Sequence, residues 1–232
     1  MTNTARKACF LIVLFACFVL IASPVFAGIV QTTARSGNDF IDWGQLPPPI
    51  TVLSSPVAVT SNLGLGVTVT NASGLFFTDQ QGNPWDGNFA PGDFLSASGQ
   101  FTPVGAMFIT FARPVLGVGT QMGLNVVSDA PVPFTEHLVL FDSSNNQLAS
   151  FTAKGFTDNH ADNSAVWIGA IDSIAAIKTA EFYITGAETE PFGNAYAFNR
   201  VSITTVPEPS TLALLSMGLG GVTGALRFRR RR

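Results

Sequence analysis

The chain has 232 residues, 47% of them hydrophobic, and a formal net charge of −3. Residues 28–206 contain five basic and fourteen acidic side chains, a net of −9, whereas five arginines crowd into the last six residues. A body without clustered lysines and arginines cannot neutralise phosphates, so nucleic-acid binding is excluded. Its length fits one domain that buries a substantial core.

A secretory signal peptide is predicted for residues 1–27. Two basic residues precede an apolar run over residues 8–22, and small or apolar residues complete a signal-peptidase site that ends at Ala27. Both cysteines, Cys9 and Cys17, lie in this segment. The mature protein is therefore expected to contain no disulfide, although its compartment would permit one.

The body, residues 28–205, is predicted to be one all-β domain. It is rich in Phe, Val, Thr, Gly and Asn and poor in Lys and Glu, a composition typical of strands. Short apolar stretches are separated by turn residues, as in an antiparallel sandwich or barrel. The candidate strands cover residues 50–60, 65–70, 74–78, 105–112, 122–128, 137–141, 148–153, 165–171, 180–185 and 196–204. A short helical turn is the alternative for residues 173–177.

A loop at residues 79–88 combines carboxylates, amides and a tryptophan. Sugars are commonly bound by an aromatic face with flanking hydrogen-bonding groups, so Trp85, Asp86 and Asn88 are candidate glycan-binding residues. The same residues equally fit a turn whose Trp85 plugs the end of the sandwich, and this is the favoured interpretation. Asp79, Asp86 and Asp93 could also serve as paired carboxylates for glycoside hydrolysis, but this depends on their spatial separation.

A second polar loop, at residues 158–163, contains Asp158, His160 and Asp162. Ordinary turn chemistry explains such Asp and Asn residues. The alternative is calcium ligation, for which Asp158, Asp162 and Asp79 are candidates because hard cations prefer oxygen ligands. Apart from His160, only His137 could act as a catalytic base, and its place beside a strand favours a surface residue. The sequence therefore predicts no catalytic residues and no required cofactor.

The last candidate strand changes phase within residues 196–204. Tyr196 and Phe198 fall on one face of a regular strand, whereas Val201 and Ile203 fall on the other. A bulge near Asn199 would bring all four to the same side.

The C-terminal segment, residues 206–232, begins with Pro207, Glu208 and Pro209 and continues into an apolar run over residues 212–226. Fifteen helical residues extend about 22 Å, less than the roughly 30 Å of a bilayer core, so a short transmembrane helix is predicted that spans only with thinning or snorkelling. The arginines that follow set the C-terminus on the cytoplasmic side. They are Arg227, Arg229, Arg230, Arg231 and Arg232.

The proline-containing motif, the apolar run and the arginines together resemble the PEP-CTERM protein-sorting signal of Gram-negative bacteria. The resemblance implies recognition by a membrane-embedded exosortase, cleavage near the motif and delivery from an inner-membrane intermediate to the cell surface or the extracellular polymer. An ordinary C-terminal anchor is the alternative. The stretches 142–151, 164–169, 182–184 and 197–201 resemble, more loosely, the bodies of surface proteins that carry this signal. Those bodies are similar to jelly-roll-like, carbohydrate-binding β-sandwiches, and an Asp often stands where this chain has Asn199.

The expected protein is thus an exported, jelly-roll-like β-sandwich that is not an enzyme. Its expected partners are signal peptidase, an exosortase, the membrane before processing, and polysaccharide. A structural or adhesive role linked to exopolysaccharide or biofilm is the main hypothesis. The alternatives are a carbohydrate-binding module with calcium support and a glycan-active enzyme.

Overall fold

The structure is a computed structural model that describes residues 28–82, 85–98, 105–126, 130–158, 160–187 and 195–206. The predicted signal peptide, the Pro207-Glu208-Pro209 motif and the predicted C-terminal helix with its arginines lie outside these ranges. Within the described ranges, no helix has the length and apolar character needed to cross a membrane.

Antiparallel strands make up almost all of the regular structure. The described residues form fifteen strands and one short 3-10 helix, Trp43–Gln45. The strands are β1 Val30–Thr32, β2 Asp39–Ile41, β3 Thr51–Ser54, β4 Val57–Thr60, β5 Gly66–Asn71, β6 Leu75–Gln80, β7 Phe94–Ser98, β8 Met107–Val115, β9 Gly117–Leu124, β10 Val132–Phe141, β11 Gln147–Thr157, β12 Val166–Ile171, β13 Ile177–Thr185, β14 Tyr196–Phe198 and β15 Val201–Thr204.

These strands form two sheets. The larger has the order β1-β12-β9-β14-β7-β6-β3, and β15 joins it beside β9, with β2 beside β15. The smaller has the order β11-β10-β13-β8-β5-β4. The prediction of an all-β antiparallel sandwich is confirmed.

The main core lies between the two sheets, where alternate residues of each strand point inward. Three segments show this alternation clearly, with every second residue buried in the main core: Met107, Ile109 and Phe111; Met122, Leu124 and Val126; and Phe182 and Ile184. Full burial of each large apolar side chain contributes about 1.5–3 kcal/mol.

A second, smaller core lies on the outer face of the larger sheet, beneath residues 81–93. It consists of Phe77, Trp85, Phe89, Leu95, Ala97, Ala165 and Ala197. Residues 85–93 are therefore fixed to the sheet by two buried aromatic residues of their own, Trp85 and Phe89, although their composition is that of a loop.

Several predicted boundaries differ from the structure. Residues 50–60 form two strands in different sheets, because Pro56 has no N–H to donate to a ladder and the chain changes sheets there. Residues 173–175 form bends followed by β13, so the proposed helical turn there is wrong. Strands β1, β2 and β7 were not predicted.

The predicted bulge near Asn199 is confirmed. Phe198 of β14 pairs with Met122 of β9, whereas Ser202 of β15 pairs with Gly119 of the same strand. Four residues on one strand thus oppose three on the other, which is the one-residue excess of a bulge.

Candidate functional site

A polar cleft of about 440 Å³ opens on the outer face of the larger sheet. Its volume lies within the range of small-ligand sites. Five separate parts of the chain supply the lining: Ala34, Arg35, Ala90, Asp93, Gln121, Asn163, Trp167, Asn199 and Arg200.

Trp167 is the aromatic residue of this cleft, and it lies on the outer face because its neighbour Ile168 points into the core. A Cβ atom on Gly119 would come within 2.6 Å of the indole Cζ2, and one on Gly169 within 3.0 Å of Nε1. The ring therefore rests on a pair of glycines that face each other on β9 and β12. Its Nε1 donates to Thr32 Oγ1 at 3.2 Å. The indole is half-buried and held in a fixed position.

The bulge between β14 and β15 places two adjacent side chains, Asn199 and Arg200, in the cleft. It is held from the core side, where Trp43 Nε1 donates to the carbonyl oxygen of Asn199 at 2.7 Å. The Thr120 hydroxyl donates to the same carbonyl at 3.2 Å. Bulges commonly redirect side chains next to binding sites, and here buried donors fix the redirected segment.

The side-chain amide of Asn199 connects two other parts of the cleft lining. Its Nδ2 donates to Gln121 Oε1 at 2.8 Å and to Asp93 Oδ2 at 3.1 Å. Gln121 Nε2 donates in turn to the carbonyl oxygen of Ala165 at 3.0 Å. The cleft thus presents a connected row of amide and carboxylate groups of defined orientation.

Two guanidinium groups lie at the cleft. Arg200 pairs with Asp42, its Nη2 lying 3.2 Å from Oδ2, and it covers the ring of Phe40 at 4.3 Å from the ring centroid. Arg35 lies in the exposed connection between β1 and β2, and within the described residues it makes neither an ion pair nor a hydrogen bond. Arg35 is therefore available to a ligand.

Asn88, which is fully buried, holds one wall of the cleft in place through hydrogen bonds. Its Nδ2 donates to Asp158 Oδ1 at 2.7 Å and, at 3.4 Å, to Asp162 Oδ1, while its Oδ1 accepts from the backbone N–H of Asp158. The structure thus brings the glycan-binding candidate Asn88 into contact with the metal candidates Asp158 and Asp162. These hydrogen bonds connect the two chain segments that contain the three residues.

Hydrogen bonds lower the pKa of both carboxylates that Asn88 contacts. The bond from Asn88 holds the pKa of Asp158 below its ordinary value, and Asp158 also accepts from His160. The Ser164 hydroxyl, followed by its backbone N–H, lowers the pKa of Asp162. Both aspartates act here as turn residues that fix the loop.

The third metal candidate, Asp79, is a buried residue of β6 and makes no hydrogen bond to Asn88 within the described part of the chain. It is 1% exposed, and burial raises its pKa to about 6, with a smaller contribution from the negative charge of Asp86. Within the described ranges no three His, Cys, Asp or Glu side chains are grouped to hold a metal ion.

The expectation that Trp85 offers an exposed face to a sugar is wrong. Trp85 is 0% exposed and belongs to the smaller core. The plug interpretation correctly predicts that the ring is buried, but the ring lies on the outer face of the larger sheet and not at the end of the sandwich. Asp86 and Asn88 do not line the cleft either, although Asn88 fastens its wall.

His137 lies on the outer face of the smaller sheet, away from the cleft. Its ring stacks on Tyr183 with centroids 4.4 Å apart, and its Nε2 lies 2.9 Å from Thr185 Oγ1. Burial lowers the pKa of His137.

Sequence reasoning did not identify the cleft residues Arg35, Gln121, Trp167 and Arg200 as a site, and it considered Asp93 only as a carboxylate for glycoside hydrolysis. Trp167 stands in an apolar strand and was read only as part of it. The available signal was the pair of glycines, Gly119 and Gly169, which leaves room for a large ring on one face of neighbouring strands.

Comparison with known proteins bears on the tail and on the fold. Residues 205–232 match the family model of the PEP-CTERM protein-sorting motif. No curated protein matches the chain. A DUF4465 family protein from Bacteroides caccae is similar in structure, with 9% identity, coverage of 75% of this chain and 100% of that one, and a TM-score of 0.38. The xylan-binding domain CBM22-1 from Paenibacillus barcinonensis shows 10% identity, coverage of 75% and 99%, and a TM-score of 0.31. At these TM-scores, neither similarity carries an argument about function.

Fold and cleft define an all-β sandwich with an open polar site on one sheet. The chain carries a PEP-CTERM sorting motif, as its last 27 residues predict. The motif implies an exported protein that an exosortase processes.

Proposed function

We propose that this exported protein binds polysaccharide in the cleft, and that this binding underlies a structural or adhesive role in extracellular polysaccharide or biofilm. The observation that carries the proposal is the position of Trp167. Its indole rests on Gly119 and Gly169 and lines a polar cleft, so an apolar ring is presented beside hydrogen-bonding groups.

This combination suits a sugar. A sugar ring has apolar C–H faces that pack on an aromatic ring and hydroxyl groups that need hydrogen-bond partners at its edge. Gln121, Asn163 and Asn199 supply amides around Trp167, and Asp93 supplies a carboxylate. Because Asn199 and Gln121 already hold one another, little conformational entropy is lost when a ligand binds.

The number of carboxylates in the cleft favours sugar binding over glycoside hydrolysis as its function. Glycoside hydrolysis usually requires a pair of carboxyl groups on either side of the scissile bond. Asp93 is the single carboxylate among the described residues that line the cleft, and it accepts a hydrogen bond from Asn199. A carbohydrate-binding protein is therefore the better interpretation of the site than a glycan-active enzyme.

The sorting motif supports the proposed place of action. The partners before maturation are signal peptidase and an exosortase, while the chain is held in the inner membrane by its C-terminal helix. The mature protein then acts at the cell surface or in the surrounding polymer.

Binding to a panel of soluble polysaccharides, including the producing organism's own matrix material, tests the proposal. Affinity electrophoresis of Trp167→Ala is expected to show binding weakened by roughly tenfold or more, because a central aromatic contact is lost. Trp167→Phe should retain part of the affinity. Tyr183→Ala, which removes a half-buried ring from the other sheet, is the matched control and should bind normally. Normal binding by Trp167→Ala would place binding elsewhere and contradict the proposal, whatever the result for Tyr183→Ala.

A further inference from the structure

Positive charge is scarce in the body of the protein, residues 28–206, and part of it lies at the cleft. Residues 28–206 hold five basic side chains, and two of them, Arg35 and Arg200, line it. Of the three others, Lys178 donates to the carbonyl oxygen of Ala112, while Arg113 on β8 and Lys154 on β11 lie exposed on strands of the smaller sheet. This arrangement is unexpected for a body with a net charge of −9.

The charges within the cleft are not all balanced. Asp93 is held by the amide of Asn199, and Asp42 pairs with Arg200 from outside the cleft. Arg35 is left without a carboxylate partner among the described residues. A guanidinium group presents a planar fork of donors that fits a carboxylate or a sulfate by two parallel hydrogen bonds.

We propose that the cleft binds an anionic polysaccharide, one that carries carboxylate or sulfate groups, and that Arg35 determines this specificity. The proposal rests on the proposed function, since it names the class of sugar bound at the same site. Trp167 and the amides hold the sugar ring, and the Arg35 guanidinium pairs with its acidic group.

The charge of the rest of the protein makes this pairing selective. A body with a net charge of −9 repels an acidic polymer at long range, so attraction must come from direct contact in the cleft. At physiological ionic strength the Debye length is about 8 Å, which screens the distant acidic groups far more than a contact pair. Binding measured at that ionic strength therefore reports mainly on the cleft.

Two pairs of polymers test the proposal with the exported protein. Polygalacturonate is compared with its fully methyl-esterified form, and dextran sulfate with dextran. The protein is expected to bind the charged member of at least one pair roughly tenfold or more tightly than the neutral member, as for a charge-assisted hydrogen-bonded pair. The pair that shows the preference identifies carboxylate or sulfate as the acidic group.

Variants then assign the preference to one side chain. Arg35→Gln should abolish the difference between charged and neutral polymers while retaining affinity for the neutral one. Lys154→Gln removes an exposed cation from the other sheet and should keep the full preference. Equal affinity for charged and neutral polymers, or an undiminished preference in Arg35→Gln, would overturn the assignment of Arg35 and leave polysaccharide binding standing. Absence of binding to all four polymers and to the native matrix material would overturn both proposals.

Discussion

Glu136 is a carboxyl group placed in the apolar interior of the sandwich. It is 0% exposed, and its neighbours on the same face of β10, Phe134 and Leu138, belong to the main core. Neither carboxyl oxygen has a hydrogen-bond partner in the described residues. Burial raises the pKa of Glu136 well above its ordinary value of 4.5, because a buried charge loses its hydration.

This raised pKa fixes the sign of a pH dependence. Above about pH 4.5 the unfolded chain releases the proton of Glu136, whereas the native state keeps it, so the free energy of unfolding falls as the pH rises. Glu136→Gln keeps the shape and removes the titration. We expect this variant to be more stable than the wild type at pH 7, by about 1–3 kcal/mol, with the gain shrinking towards pH 4.5. Urea unfolding at a series of pH values measures it.

Asp79→Asn is the matched control for this prediction. The pKa of Asp79 is raised from 3.8 to about 6, so its contribution changes only between those values and is constant at higher pH. The aspartates with lowered pKa, Asp142, Asp158 and Asp162, act below their ordinary value and with the opposite sign. If Glu136→Gln shows the same slope as the wild type between pH 6 and 7.5, the protonated core carboxyl is refuted.

Among the elements, residues 81–93 and 158–164 are connecting segments that nevertheless form one wall of the cleft. Ala90 and Asn163 line it, and Asn88 links their two segments through Asp158 and Asp162. A buried donor that reaches two charged acceptors makes a stronger contribution than an exposed pair. The wall is thus fixed by one side chain.

We expect Asn88→Ala to weaken both stability and polysaccharide binding. The substitution removes the hydrogen bonds of Asn88 to Asp158 and Asp162, which hold the segment that contains Ala90, so the free energy of unfolding should fall by about 1–3 kcal/mol. Asn146→Ala is the matched control. It removes an Asn-to-Asp hydrogen bond of the same kind, from Asn146 Nδ2 to Asp142 Oδ2, in the exposed turn that connects β10 to β11. Thermal melts and affinity electrophoresis compare the two. Equal, small effects would show that Asn88 does not organise the wall.

Elements with a regular apolar pattern could be predicted from the sequence, and so could the irregularity of the last strand. The conflicting phases of Tyr196 and Val201 required a bulge, and the bulge then placed Asn199 and Arg200 at the cleft. The break at Pro56 had a physical signal in the missing N–H, but the hydrophobic run of residues 50–60 hid it.

The cleft itself could not be predicted, because tertiary packing gives two tryptophans the opposite exposure to the one that their neighbours in the sequence suggest. Trp85 stands among Gly, Pro and Asp residues, yet its loop folds back on Phe77 and Leu95 and buries it. Trp167 stands in an apolar strand, yet Ile168 takes the inward position and leaves Trp167 outside. The remaining lining residues come from segments far apart in sequence, and the register of the larger sheet brings them together.

At the scale of the whole molecule, the two ends of the chain and its body differ in charge. Residues outside 28–206 hold seven of the twelve basic side chains and one of the fifteen acidic ones. They also hold both cysteines. The sorting motif at residues 205–232 lies in the most basic of these zones.

Processing at both ends should therefore change charge as well as mass. If signal peptidase cuts after Ala27 and an exosortase cuts near Pro207, the net charge should move from −3 for the full chain to about −9 for the exported protein, because the removed ends carry a net of +6. Intact mass spectrometry of surface-exposed protein, with isoelectric focusing beside it, measures both changes. The control is the same gene expressed in a host strain lacking the exosortase, where Arg227 to Arg232 should remain attached. Recovery of the Arg232 terminus on the surface-exposed protein of the native host would show that the tail is an ordinary anchor and that exosortase cleavage does not occur.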